Sequence, residues 1–466
     1  MVSAAVGLIG LAVMGQNLAL NLADHGHSIA VFNRTSRITD DFVAANREGF
    51  PVEGAASLAD LVKMVEQPRR LILMIKAGRA VDDLLTELLD VVSEGDVVID
   101  GGNSLFTDTE RRERIAADRG VAYVGAGISG GEEGARHGPS IMPGGNEDAW
   151  PLIAEMLQGI AARTPAGEAC CEWLGPGGSG HFVKMVHNGI EYGDMQIIAE
   201  AFHLMQAAGM KVPEMAEAFR GYASGRLSSF LIDITIQILE KLDDDGTPLI
   251  HRVLDAAAQK GTGKWTVQSS LDLGQPASLI AEAVYARMVS AFKERRMAAS
   301  GVLGGPSGGV KVDLADIESA LYGSKIVSYA QGFMLLAAAS EEYHWGLELA
   351  KVSPLWRAGC IIRAAFLDDI TRAFRNEPNL PNLMLDPYFT DALAGAQDAW
   401  RRVVAAAVTS GIPVPAYSSA LAFYDSYRSE HLPANLIQAQ RDLFGAHTYE
   451  RTDRPRGEFF HTNWSS

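Results

Sequence analysis

An α/β domain, then a larger and almost wholly helical one, then a short aromatic tail is what this sequence predicts, on three observations. Apolar runs at 4–9 and 27–32 bracket a glycine turn made of Gly10, Leu11, Ala12, Val13, Met14 and Gly15. Its G-x-A-x-x-G reading, between a strand and a helix, is the signature of a dinucleotide-binding fold of the Rossmann type. Beyond a glycine-rich boundary at 175–180 the apolar spacing becomes helical and stays so. Finally, a shift of 141 residues lays Lys184, Met185 and Val186 on Lys325, Ile326 and Val327, and Pro213 on Pro354. That is a weak internal repeat of a long helix and its successor. Residues 1–178, 179–434 and 435–466 are expected to form the α/β domain, the all-helical domain and the tail.

Composition narrows the class. A chain of 466 residues suggests two or three domains, and 47% apolar content fills sizeable cores. With 57 acidic against 40 basic residues the net charge is −17, which speaks against nucleic acid or an anionic membrane as the main partner. No run reaches the roughly 18 apolar residues of a membrane span. The first apolar segment has no basic leader and runs straight into the glycine turn, unlike a signal peptide. Cys170, Cys171 and Cys360 offer neither a disulfide framework nor metal-ligand spacing. The expectation is a cytoplasmic protein of a reducing compartment.

Taken in order, the second strand ends in Asn33, Arg34 and Thr35, where an NAD site would usually carry an acidic residue for the ribose 2′-hydroxyl. A guanidinium flanked by amide and hydroxyl suits a 2′-phosphate, so the cofactor is read as NADP. Further strands are expected at 70–75, 96–99 and 121–124, each ending in a small or polar loop, at 76–78, 100–104 and 125–131. Such strand ends face ligands in open α/β sheets. The 125–131 run reads as an anion cradle of unblocked amides, paired with an ordered loop at 138–145. Helices are expected at 227–243, 278–296, 316–343 and 390–410. The stretch 259–264, QKGTGK, lacks the spacing and the preceding strand of a nucleotide phosphate loop. Lys260 and Arg287 remain candidates for binding an anion. The last thirty residues are too aromatic for a disordered tail and must pack on something.

The most informative stretch is 181–195, HFVKMVHNGIEYGDM. At about 100° per residue, Lys184, His187, Asn188, Glu191 and Tyr192 share one arc of roughly 140°. A solvated helix face is the ordinary reading of such a stripe. Its content, however, is a proton-transfer set rather than a Glu/Lys/Arg mixture. Gly189 and Gly193, each costing about 1 kcal/mol relative to alanine, are expected to let another backbone come close. In the second copy only the lysine persists, as Lys325, while Ser328, Tyr329, Gly332 and Phe333 replace the rest. The first copy therefore carries chemistry and the second architecture. For Lys184 to serve as a base near neutral pH, burial or a positive neighbour must lower its pKa, and His187 is the nearest candidate.

Together these motifs resemble 6-phosphogluconate dehydrogenases of the long, decarboxylating form. The likeness is carried by residues 10–17, 33–35, 128–134, 184–192, 259–265, 440–442 and 445–447. It runs from the first strand to the tail. It implies a homodimer whose tails complete each other's sites, and a metal-free reaction of 6-phospho-D-gluconate with NADP giving D-ribulose 5-phosphate and carbon dioxide in the pentose phosphate pathway. By resemblance Lys184 is the general base and Glu191 the acid. Asn103, Ser129, Gly130, Gly131, His187 and Asn188 would hold the sugar-acid end, and Tyr192, Lys260, Arg287 and Arg441 the phosphate, with His447 beside them. Gly10 to Gly15, Asn33 to Thr35, Ile75, Lys76, Ala77 and Asn103 would contact the cofactor. Leu443 departs from the family's usual tyrosine, which bears only on tail packing. A related hydroxyacid dehydrogenase would have no need of Lys260, Arg287 and Arg441 together. A non-catalytic NADP sensor could lose Lys184 or Glu191. A purely structural helical repeat fails on the first 130 residues.

Overall fold

Short aliphatic runs build the sheet: β1 (Val6–Ile9), β2 (Ile29–Phe32), β3 (Val52–Gly54), β4 (Arg70–Leu73), β5 (Val97–Asp100), β6 (Ala122–Ser129) and β7 (Ser140–Gly145). This is a computed structural model, and it describes residues 3–46, 49–306 and 308–464. The strand order is β3-β2-β1-β4-β5-β6-β7. All pairings are parallel except β6 with β7. Both faces are covered, one by Leu18, Leu22, Ile153 and Leu157, the other by Leu61, Val81, Leu85 and Leu88. That is why the inner strands read as continuous apolar runs rather than alternating ones. Because β1 pairs with β2 on one side and β4 on the other, the winding reverses there and a crevice opens beyond their carboxyl ends.

Three expectations change. The run 125–131 is not a loop: β6 continues to Ser129, and only Gly130 and Gly131 turn away, with φ of 115° and 63°. The ordered loop at 138–145 is mostly strand, with β7 pairing from Ser140 opposite Ser129 to Gly145 opposite Val124. β3 was not foreseen. Glycine-rich strands carry too few side chains to show a period of two, so they resemble loops in sequence.

The chain divides into two compact units, Met1–Ala420 and Leu421–Ser466. In the first, the helices Ser179–Ala207 and Leu314–Glu342 are both 29 residues long, as the internal repeat requires. They pack together where side chains are small: a Cβ on Gly332 would lie 2.5 Å from Ile190 Cδ1, and one on Gly193 2.5 Å from Ser328 Oγ. The expected helices at 227–243, 316–343 and 390–410 appear as Phe230–Glu240, Leu314–Glu342 and Pro387–Thr409. The one expected at 278–296 is broken into Ser278–Ser290 and Lys293–Ser300. The Ser290 carbonyl at the break accepts from the Arg296 guanidinium at 3.0 Å, which satisfies a helix end that the sequence pattern does not mark. No helix among the described residues is long and apolar enough to cross a membrane.

The second unit holds the helix Ala434–Gly445 and a two-stranded hairpin, β8 (Tyr449–Glu450) and β9 (Phe459–Phe460). Its hub is the buried Asp442. The carboxylate accepts from the Thr448 and Thr462 amides, His461 Nδ1 and Trp464 Nε1 at 2.8–3.1 Å.

Candidate active site

The strand glycines explain how the helix Ser179–Ala207 is seated. A Cβ on Gly127 would stand 2.3 Å from Lys184 Cβ and 2.7 Å from its Cγ. Only a strand without a side chain at 127 lets the lysine stem cross it. The run therefore serves the close approach of the helix, and its amides are largely spent on the β6–β7 ladder instead of cradling an anion. On the opposite side, Gly189 and Gly193 admit side chains rather than a backbone. A Cβ on Gly189 would be 2.6 Å from Thr266 Cγ2, and Thr266 Oγ1 donates to the Met185 carbonyl at 2.9 Å.

The polar stripe faces inward. Lys184, His187, Asn188 and Tyr192 are buried, and Glu191, with 22% of its side chain exposed, is the most open member. Lys184 Nζ donates to Asn188 Oδ1 at 2.8 Å and lies 3.4 Å from His187 Nδ1. His187 Nδ1 is also 3.1 Å from Asn188 Oδ1, and its Nε2 is 3.3 Å from Ser129 Oγ at the end of β6. A neutral imidazole satisfies this set by donating from Nδ1 to Asn188 and accepting the Ser129 hydroxyl at Nε2. Burial, with the lysine charge second, holds the His187 pKa well below its ordinary value. His187 is thus no positive neighbour for Lys184. Burial itself lowers the lysine, against the opposing pull of Glu191 and then Cys360. Burial also raises Glu191, opposed by Lys184 and Arg287 and aided by Asp194. One group is pushed toward the free amine and the other toward the protonated acid, as a base and an acid on one substrate require.

The second-copy lysine has a different occupation. Lys325 is buried and ion-paired with Asp194, which also accepts from Tyr329 at 3.4 Å. It neutralises a carboxylate inside the helix pair.

At the crevice, Gly10, Ala12, Val13, Met14, Asn33, Ile75, Lys76 and Asn103 line a cleft of about 490 Å³. A Cβ on Gly15 would stand 1.9 Å from the Gly10 carbonyl oxygen, so the turn can be this tight only with glycine. Asn33 Oδ1 accepts from the Leu11 amide at 3.1 Å and fixes the turn to β2. Arg34 and Thr35 are exposed at the end of β2, and Ala77 follows in the loop after β4. A glycine turn at a helix start with an exposed guanidinium beside it fits a dinucleotide carrying a 2′-phosphate. The sequence reading missed Met74, Gly101, Gly102 and Ile128, which complete the lining. Gly101, Gly102 and Ile128 lie in strand-end stretches expected to face a ligand, whereas Ile75 and Asn103 were named through the family resemblance.

Two of the residues assigned to the phosphate meet. The Arg287 guanidinium lies 3.5 Å from the centroid of the Tyr192 ring. The helix Thr262–Asp272, which begins two residues after Lys260, packs on the same ring, since a Cβ on Gly263 would be 2.6 Å from Tyr192 Cδ2. Lys260 itself is exposed. Arg441 and His447 belong to the second unit. Both are exposed, Arg441 donating to Gln438 Oε1 at 3.0 Å and His447 edge-on to Phe444 at 5.9 Å.

A glycine-turn crevice beside a buried lysine–glutamate pair defines a class: Rossmann-type, nicotinamide-dependent dehydrogenases with a helical substrate domain. Comparison with known proteins narrows it. Residues 5–175 match the NAD binding domain of 6-phosphogluconate dehydrogenase, and residues 180–464 match its C-terminal domain. The chain is 55% identical over 471 residues to the decarboxylating 6-phosphogluconate dehydrogenase of Mus musculus, covering 100% of this chain and 97% of that one. It is 52% identical over 465 residues to the Haemophilus influenzae enzyme of the same name, covering 99% and 96%. The solved 6-phosphogluconate dehydrogenase of Plasmodium falciparum superposes with a TM-score of 0.94 at 42% identity, covering 99% and 100% of the two chains. That protein was solved in its apo form, with its cofactor NADP+ and with its substrate 6-phosphogluconate. The chain belongs to the 6-phosphogluconate dehydrogenase family.

Proposed function

We propose that this chain catalyses the NADP-dependent oxidative decarboxylation of 6-phospho-D-gluconate to D-ribulose 5-phosphate and carbon dioxide, with Lys184 and Glu191 sharing the proton transfers. The observation that carries the assignment of roles is the buried stripe, in which burial lowers Lys184 and raises Glu191 on one helix face. The bound nicotinamide supplies a hydride acceptor for C3. Neutral Lys184 takes the C3 hydroxyl proton as that hydride leaves. The resulting ammonium hydrogen-bonds the 3-keto oxygen, where electrons collect as the C1 carboxylate departs as carbon dioxide, and gives it a proton to form the enediol. Glu191 then protonates the former C2, now C1 of the pentose enediol, and Lys184 recovers the hydroxyl proton as the ketone forms. Asn188 orients the lysine. Ser129, His187, Asn103, Gly130 and Gly131 hold the sugar-acid end. Tyr192, Arg287 and Lys260 receive the phosphate, and Gly10 to Gly15, Asn33 to Thr35 and Ile75 to Ala77 hold NADP. The test is release of NADPH and carbon dioxide from 6-phosphogluconate against unphosphorylated gluconate. Comparable turnover of both would remove the phosphate assignment.

The same reading divides the chain into 1–178, 179–434 and 435–466, places it in the cytoplasm and makes it a homodimer in which Arg441 and His447 complete the partner's phosphate site. Exposed apolar side chains support the dimer: Val289, Phe292, Met297, Val302 and Leu303 in the helical part, and Leu436, Ile437, Phe444 and Phe459 in the tail. So many large side chains in water call for a covering surface. Mixing Lys184→Met with Arg441→Ala under subunit exchange gives a dimer in which one site carries both defects and the other neither. Activity should reappear; exchange without activity means the tail serves its own chain.

A further inference from the structure

The cofactor cleft has two walls made by loops that follow neighbouring parallel strands, 74–78 after β4 and 100–104 after β5, joined at their base where the Gly101 amide donates to the Leu73 carbonyl at 2.9 Å. Behind them lies one wholly buried guanidinium. Arg112, on the helix Phe106–Ala117, donates from Nη2 to the Gly78 carbonyl at 3.1 Å and from Nη1 to Ser104 Oγ at 3.2 Å. Its Nε donates to Asp82 Oδ1 at 2.8 Å, in the first turn of the helix Arg79–Leu89 that the 74–78 loop enters. The 100–104 side is itself braced. Asp100 Oδ1 accepts from the Gly102 amide at 3.0 Å, and Oδ2 accepts from Ser104 at 2.6 Å and Tyr123 at 2.9 Å, with Arg112 Nη1 at 3.6 Å.

A buried charge of this kind is costly unless paired and hydrogen-bonded. Here it spans the two cleft walls, although a leucine would fill a helix–sheet contact at no such cost. The guanidinium's donors leave in fixed directions in one plane, so the three bonds define the separation of the two loops rather than merely joining them. We propose that Arg112 is a positioning residue for the dinucleotide: by bracing Gly78 and Asp82 against Ser104 and Asp100, it sets the width of the cleft between Lys76 and Asn103. It touches neither cofactor nor substrate. Asp82 is the outer arm, with a side chain 32% exposed and shared with Arg111 at 2.7 Å. Burial opposes its ionisation, but hydrogen bonds from Arg112 and Arg111 outweigh this and depress its pKa.

The proposal rests on the NADP reading above, and the tests separate the two. Asp82→Asn loosens the 74–78 side alone at a position open to solvent, and Arg112→Lys keeps the charge while losing the fork. The readouts are the dissociation constant of NADP, the KM for each substrate, the isotope effect with 6-phosphogluconate deuterated at C3, and the unfolding temperature. Each variant should weaken NADP about fivefold or more, the equivalent of one lost hydrogen bond. The KM for 6-phosphogluconate in Asp82→Asn should stay near wild type, and the isotope effect in Arg112→Lys should rise as hydride transfer becomes slower. NADP binding unchanged in Asp82→Asn overturns the proposal, whether or not Arg112→Lys folds. So does a parallel rise in both KM values that tracks lost stability. Failure of the wild-type chain to bind NADP overturns the cofactor reading, and the proposal with it.

Discussion

Replacing Gly127 by alanine puts a methyl group where the stem of Lys184 already runs. The added carbon would sit 2.3 Å from Lys184 Cβ and 2.7 Å from Cγ, and ordinary contact begins at 3.4 Å. Strand β6 and the helix Ser179–Ala207 must therefore part by about 1 Å, at an overpacking cost of about 1–3 kcal/mol. A chain of this size should tolerate that and stay folded. Catalysis should not tolerate it, because a shift of about 1 Å at a reacting group costs on the order of 100-fold. Of β6 only Ile128 is in the lining of the cofactor cleft, the rest coming from other strands and loops, so the KM for NADP should change far less than kcat. Steady-state NADPH formation, with circular dichroism and an unfolding temperature as controls, reads all three. A folded Gly127→Ala variant with near wild-type kcat would show that the lysine stem is not held as described.

Other perturbations follow from the same geometry. Lys325→Met strands the buried Asp194 carboxylate and should destabilise by about 3–5 kcal/mol; pairing it with Asp194→Leu should recover much of that loss in thermal unfolding, and no recovery would refute the ion-pair role. Arg34→Asp should raise the KM for NADP far more than that for NAD, since only NADP carries the 2′-phosphate; equal effects on both would remove the cofactor assignment. The pKa of Asp442 is depressed to about 2: burial works against the charge, and hydrogen bonds from His461, Trp464 and Thr462 overcome it. A depressed carboxylate lends stability above its unfolded pKa and withdraws it as pH falls through the folded one. The tail should therefore loosen between about pH 4 and pH 2, seen as a change in Trp464 fluorescence, whereas Asp442→Asn should loosen it at every pH. A wild-type tail unchanged at pH 2 contradicts the hub.

Much of the fold was legible because its signals are local. The apolar runs of β1, β2, β4 and β5 and the glycine turn between β1 and its helix lie within short windows. The polar stripe at 184–192 shows the helical period directly. The start of β6 was legible at 121–124, but its continuation to Ser129 and all of β7 were not, because their glycines answer to a helix laid across them that comes later in the chain. The break at 291–292 depends on Arg296 reaching the Ser290 carbonyl, which no periodicity encodes. The bracing of the cleft by Arg112 joins residues 8 to 34 positions apart in sequence, and an arginine between Arg111 and Arg114 on a highly charged helix reads as a surface charge. Sequence left burial or a positive neighbour open as the cause of a lowered Lys184, with His187 the nearest candidate; the burial that decides it, and holds His187 well below its ordinary value, is invisible in sequence.

The central claim is that Lys184 performs the proton transfer from a buried, pKa-lowered position on the stripe. The measurement that tests it most directly is NADPH formation from 6-phosphogluconate by Lys184→Met, with NADP binding measured on the same preparation. A general base contributes about 10²–10⁴-fold, so turnover should fall by at least that order while the cofactor binds as in the wild type. A variant that keeps most of its turnover would contradict the account.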